Sequence, residues 1–137
     1  MDLIVCVDDN LGMMFNKRRQ SRDIEVTKAI INLCKNKILY IDSYSKKLFE
    51  EIGYRDYNIL EDTNLIFPKN SCYFSEKAVP GFAKNQVKKI VLFKWNRIYP
   101  ADLHFDIDIK NDNWKLISSE EFKGHSHEKI NMEVYEK

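Results

Sequence analysis

Glycine, proline and cysteine are all scarce in this chain of 137 residues, at four, three and three copies. So few glycines and prolines exclude a collagen-like or low-complexity chain. The cysteines, Cys6, Cys34 and Cys72, are odd in number and form no C-x-x-C pair, which argues against a disulfide framework and a thiolate metal knuckle. Cys6 and Cys34 sit inside apolar stretches, where a reduced thiol acts as a small hydrophobe. No apolar run approaches the roughly 18 residues that suggest a membrane span. The N-terminus has no basic segment followed by an apolar core, so no export leader is expected. Charge of one sign is missing too: 22 basic side chains face 21 acidic ones, a net charge of +1. No overall field therefore draws the chain to nucleic acid or to an anionic bilayer. A soluble, cytoplasmic protein with no membrane partner is expected.

What is present suits one domain spanning residues 1–137. Hydrophobic residues make up 44% and charged residues 31%, within the globular range, and a chain of this length buries roughly two thirds of its unfolded surface. Leu3 to Val7 is an unbroken apolar run, short enough for a strand covered on both faces. Asp8, Asp9 and Asn10 stop it, and Gly12 permits a sharp turn. A loop with two methionines and four basic residues follows. Ser21 is placed to cap a helix from Ile24 to about Asn36, with Asp23 and Glu25 in the first turn, where acids favour the positive end of the helix dipole.

Lys37 to Ile41 reads as a second buried strand. Ser43 or Ser45 then caps a helix with Leu48, Phe49 and Ile52 on its buried face and Gly53 at its end. Residues 54–86 form a compressed, irregular middle with short strands expected at Tyr57–Leu60, Leu65–Phe67 and Cys72–Phe74. Val87 to Trp95 is a further strand. Ala101 to Ile109 alternates Leu103, Phe105, Ile107 and Ile109 with polar residues, the pattern of a half-buried strand. Trp114–Phe122 and Ile130–Tyr135 form a final antiparallel hairpin across a turn containing Gly124, His125 and His127.

Lys17, Arg18, Arg19 and Arg22 concentrate positive charge in a nearly neutral chain. Charge-assisted bonds from such a loop suit a phosphate, a nucleotide or a nucleic-acid backbone; a solvated loop paired with Asp8, Asp9 or Glu25 is the plainer alternative. His125 and His127 are two apart but lie in a turn, and no further histidine completes a set with them. They are read as exposed turn residues, and no metal is expected.

Taken in order, these segments resemble dihydrofolate reductase. Leu3 to Met13, LIVCVDDNLGM, is similar to that family's first strand and the start of its active-site loop. Arg22-Asp23-Ile24 falls where the family carries its substrate-binding acid. Ile38 to Gly53 looks like its second strand and helix, and Ala101-Asp102-Leu103-His104-Phe105 like its Asp-x-x-Phe stretch. Trp114, Phe122, the Ser126-His127 turn and Met132 to Glu136 follow its terminal hairpin. The likeness covers roughly residues 3–53 and 88–136.

The resemblance implies an α/β fold: one domain, a central mixed β-sheet flanked by helices, and a C-terminal antiparallel hairpin. It implies that Asp23 lies in a pocket as the catalytic group, where a carboxylate binds the amidine-like edge of a pterin bidentately and raises its proton affinity. Cys6 and Phe93 are then expected to line the same pocket. NADPH is the implied cofactor, met by Ser43 and Ser45 at the head of the second helix. Several positions depart from the family. Lys17-Arg18-Arg19 stands near the place of its loop tryptophan, Asp42-Ser43 replaces a glycine and a basic residue, and Ser75-Glu76-Lys77 replaces its glycine run. Only the 35 residues 54–88 separate Gly53 from Lys89. The substrate side is kept and the dinucleotide side is lost. Three functions follow in order of preference: a descendant that binds a pterin- or nucleotide-like small molecule near Asp23 without the usual NADPH site; an NADPH-dependent reductase with a rebuilt cofactor site; and a protein or RNA interaction module using Lys17 to Arg22.

Overall fold

The apolar run at the N-terminus becomes β1 (Asp2–Val7), the middle strand of a seven-stranded sheet in the computed structural model, which describes residues 1–137. The chain continues through β2 (Gly12–Phe15), β3 (Arg18–Arg19), α1 (Ile24–Leu33), β4 (Ile38–Ile41), α2 (Lys46–Glu50), β5 (Asn58–Ile59) and β6 (Ser71–Phe74). It ends with α3 (Gly81–Lys84), β7 (Lys89–Lys94), β8 (Leu103–His104), β9 (Lys115–Phe122) and β10 (Ile130–Glu136). The large sheet has the order β5-β4-β6-β1-β7-β10-β9. Its first five strands run parallel, and β10 lies antiparallel to both β7 and β9. The fold is therefore α/β, one domain with a mixed sheet and a C-terminal antiparallel hairpin.

Side-chain alternation along β1 divides the interior. Ile4 and Cys6 point to one face, where α1 packs with Val26, Ile30 and Cys34 at four-residue spacing and α2 adds Leu48 and Phe49. Leu3, Val5 and Val7 point to the other. That second face is covered by Met13, Phe67, Val79, Ala83 and Phe105 from loops and the single turn of α3. A strand covered on both sides has no polar face, which is why residues 3–7 read as one apolar run.

Several elements differ from the sequence expectation. The loop after β1 is a hairpin, β2 against β3, closed by Asn16 and Lys17 with φ of 52° and 62°, the left-handed pair of a type I′ turn. It joins β8 in a small second sheet of order β3-β2-β8. The long strand expected at Ala101–Ile109 shrinks to β8, because the Phe105 N–H turns to the Leu11 carbonyl and the Asp108 carboxylate caps a turn at Asn111. Leu65–Phe67 forms no strand, and α3 lies where no helix was expected. Neither Ser43 nor Ser45 caps α2 with its side chain; a 3-10 turn over Ser43–Ser45 leads into it instead.

Ile30 is fully buried between α1 and the sheet. Ile30→Ala is expected to lower unfolding stability by about 3 kcal/mol through lost burial and a cavity. Lys28→Ala, on the exposed side of the same helix, is expected to change it by no more than about 0.5 kcal/mol. Urea titration of both variants checks the assignment of the buried stripe.

Candidate functional site

Asp23, not Ser21, is the N-cap of α1: its Oδ1 accepts from the Glu25 backbone N–H at 2.9 Å. The same carboxylate is buried and reaches across to the β9–β10 turn. Oδ1 also accepts from the His125 N–H at 2.8 Å, and Oδ2 from the Ser126 N–H at 2.8 Å and from His127 Nδ1 at 2.9 Å. The Ser126 hydroxyl adds a longer bond of 3.2 Å. A carboxylate offers about four lone-pair sites, so the donors of the protein saturate it. Burial pushes the Asp23 carboxyl up, but bonds from His125, His127, Ser126 and Glu25 outweigh that and hold it well below the usual carboxylate range. Asp23 is thus inward-facing, as expected, but the edge foreseen for a heterocycle is already filled by the terminal turn.

That turn fits because residue 124 is glycine. A Cβ there would meet Asp23 Oδ2 at 2.6 Å and the His127 carbonyl at 2.9 Å, so no side chain can stand between the turn and the acid. His127 is buried rather than exposed, correcting the turn-histidine reading. Its ring stacks on Trp95 with centroids 4.7 Å apart. Because the ionised Asp23 only accepts, Nδ1 carries a proton, and in the neutral ring Nε2 then keeps the lone pair. Nε2 faces the Ser21 hydroxyl at 2.9 Å and the Tyr99 hydroxyl at 3.3 Å.

A second buried carboxylate, Asp8, fixes the other end of the same segment. It accepts from the N–H groups of Gly12, Asn10 and Tyr99 and from Gln20 Nε2. Burial raises its carboxyl, and these bonds more than cancel the effect, leaving it below its ordinary value. Asp8 therefore sets the base of the β2–β3 arm and the residue next to Ser21.

Between the arm and α1 lies a cavity of about 20 Å³, bounded by Cys6, Ser21, Asp23, Thr27 and Phe74 among others. That volume has room for about one water and none for a heterocycle. Its rim residues Arg19, Ser21 and Arg22 also line an open groove of about 580 Å³ with Arg18 and Tyr44. Arg19 is bound bidentately by Glu76 and lies 4.7 Å over the Tyr44 ring. Arg22 pairs with Glu51. Arg18 is exposed, with no acidic partner.

The expected site residues divide accordingly. Cys6 lines the small cavity, and burial pushes its thiol up, so it is a packing group and not a nucleophile. Phe93 does not line it: the residue pairs with Cys6 across the strands but packs edge-on against Phe122 in the core. Lys17 stands apart from the three arginines, facing a separate hollow with Asp42, Ser45, Glu76 and Lys77. Ser43 is exposed, while Ser45 is buried and donates to Glu76 Oε2. Asp42 accepts from the Tyr73 hydroxyl and pairs with Lys77. With Lys17 and Lys77 set against Asp42 and Glu76, the hollow carries no net positive charge to draw the pyrophosphate of NADPH, and Ser45 is committed to Glu76. Ser21, Trp95, Tyr99 and His127 were not foreseen as site residues. His127 lies 104 positions from Asp23, and no local spacing reports such a contact.

Since the Asp23 carboxyl titrates lower in the folded chain than its unfolded value of about 3.9, its stabilisation is complete above about pH 5 and lost on further acidification. Asp23→Asn is expected to cost about 3 kcal/mol at neutral pH by opposing an amide to buried donors. Its urea midpoint is also expected to fall less than that of the natural chain between about pH 6 and pH 3; equal slopes would show that the carboxylate is not so held. Compared with known proteins, the chain matches no family model and no curated protein.

Proposed function

We propose that this chain is a divergent relative of dihydrofolate reductase that binds a small anionic heterocyclic or nucleotide-like ligand beside Asp23 without NADPH. The groove lined by Arg18, Arg19, Arg22, Ser21 and Tyr44 carries the proposal. Its three guanidinium groups face two partner acids, Glu76 and Glu51, leaving an excess of one positive charge. Arg18 has no acidic partner and is free to take a phosphate or carboxylate with charge-assisted bonds. Tyr44 is 43% exposed and presents an aromatic surface on which a planar ring stacks. The groove holds a heterocycle, whereas the cavity beneath it does not.

The succession of elements supports the family reading. A central strand, a helix headed by a buried acid, a second parallel strand and a terminal antiparallel hairpin follow one another in the order that likeness implies. In the neighbouring hollow Asp42 and Glu76 offset Lys17 and Lys77, leaving no net positive charge for a dinucleotide's pyrophosphate. With Asp23 committed to the terminal turn, the ligand is held by the arginines and not protonated by the acid.

A thermal-shift panel of purine and pyrimidine mononucleotides, pterins and folates tests this. At least one member is expected to stabilise the chain by about 2.7 kcal/mol at a hundredfold excess over its dissociation constant. Arg18→Ala is expected to weaken that ligand about tenfold, the loss of one bond to a charged group. If no member shifts the transition at millimolar concentration, the groove is not a site of this class.

A further inference from the structure

Asp23, His127 and Ser21 stand in the sequence of contacts that activates a serine. His127 Nδ1 is 2.9 Å from Asp23 Oδ2, and Nε2 on the far side of the ring is 2.9 Å from Ser21 Oγ. The acid fixes the tautomer, so the bare nitrogen is the one that faces the hydroxyl. The imidazole is clamped between Asp23 and the Trp95 ring and is 7% exposed. Ser21 is half-buried and lines the arginine groove, where a substrate can reach it. The base is shielded and the hydroxyl is accessible.

The surroundings suit acyl transfer. No acceptor in the fold takes the backbone N–H of Ser21 or of Arg22, and Arg19 and Arg22, paired with Glu76 and Glu51, share the wall with Ser21. Such donors favour the negative charge that develops on a carbonyl oxygen under attack. The cavity of about 20 Å³ that touches Ser21 and Asp23 has room for one hydrolytic water.

We propose that Ser21 is the nucleophile of an ester-hydrolysing centre, with His127 as general base and Asp23 as the positioning residue, and that its substrates are small esters with an anionic group on the acyl part. Ser21 Oγ bonds to the carbonyl carbon while its proton passes to His127 Nε2. The carbon–oxygen bond to the alcohol then breaks, and His127 returns the proton to the departing oxygen. Water attacks the acyl-serine, gives its proton to Nε2, and the acyl bond to Oγ breaks as Ser21 regains a proton. The products are a carboxylic acid and an alcohol, with no oxidation or reduction. The nucleophile stands on the Asp23-His127-Ser21 geometry alone; the anionic preference rests on the groove reading given under Proposed function.

When the full chain is treated with a neutral fluorophosphonate, Ser21 Oγ is expected to displace fluoride from the reagent's phosphorus and to carry one phosphonyl group, located by peptide mass spectrometry. Ser21→Ala is expected to abolish labelling, and His127→Gln to slow it by about a hundredfold or more, the contribution of a general base. Circular dichroism of Ser21→Ala, which removes only a hydroxyl, shows whether the fold persists. No label, or a label on Tyr99 or another residue in place of Ser21, overturns the nucleophile. A p-nitrophenyl monoester of succinic acid, corrected for its uncatalysed hydrolysis, is expected to turn over about tenfold faster than p-nitrophenyl acetate, and Arg18→Ala is expected to remove that preference. Labelling at Ser21 with no preference for the succinate ester overturns the anionic specificity and, with it, the use of the groove, while leaving the nucleophile standing.

Discussion

A buried carboxylate must find donors, and in this chain one carboxylate collects them from two distant parts of the sequence. Asp23 takes the first free N–H of α1 and the N–H groups of residues 125 and 126, more than a hundred positions away. Left without them, the charge would be costly to hold out of water. The helix start, the terminal turn and the orientation of His127 are consequently one unit. Gly124 is the steric condition for it, since any side chain there collides with the acid. Asp8 does the same at the other end of the arm, so two saturated carboxylates bracket residues 8–23 and set where Ser21, Arg19 and Arg22 stand.

Charge is distributed around this frame in a way that separates two hollows. On the α1 side of the arm the arginines outnumber their partner acids, and the wall is suited to an anion. On the other side Asp42 and Glu76 face inward, held by Tyr73, Lys77, Arg19 and Ser45. Tyr44 lines both hollows, and Arg19 ties them through its bidentate pair with Glu76 and its contact with the Tyr44 ring. The near-zero net charge of the whole chain conceals this local polarity, which is what matters for a ligand at contact distance.

The framework was legible where a residue's fate depends on its neighbours in sequence. The apolar runs that became β1 and β7 report their burial directly, and α1 and the terminal hairpin start from locally patterned residues, although β9 is exposed along nearly its whole length. The β2–β3 arm was not legible, because Asn16 and Lys17 adopt left-handed backbone without the glycine that usually marks such a turn. The alternation at Ala101–Ile109 misled because only Leu103 and His104 pair with β2, Phe105 reaches the distant Leu11 carbonyl, and Asp108 closes a local turn at Asn111. At the site, the inward direction of Asp23 was expected from the family resemblance, whereas its place at the helix head alone spoke for an acid at the dipole's positive end. Its saturation was not foreseen, since the donors come from the far end of the chain, and the burial of His127 follows from that same contact. Phe93 was expected beside Cys6 from their neighbouring strands, yet its ring turns to Phe122, a choice that only packing decides.

The central claim is that Asp23 holds the imidazole of His127 by its Nδ1 proton and leaves Nε2 bare toward Ser21. Long-range proton–nitrogen correlation in the nitrogen-labelled chain, recorded with His127 neutral, reads this tautomer directly. The account predicts a protonated Nδ1 and an unprotonated Nε2, both unaveraged. A ring protonated at Nε2, or one averaging between tautomers as free imidazole does, would contradict it.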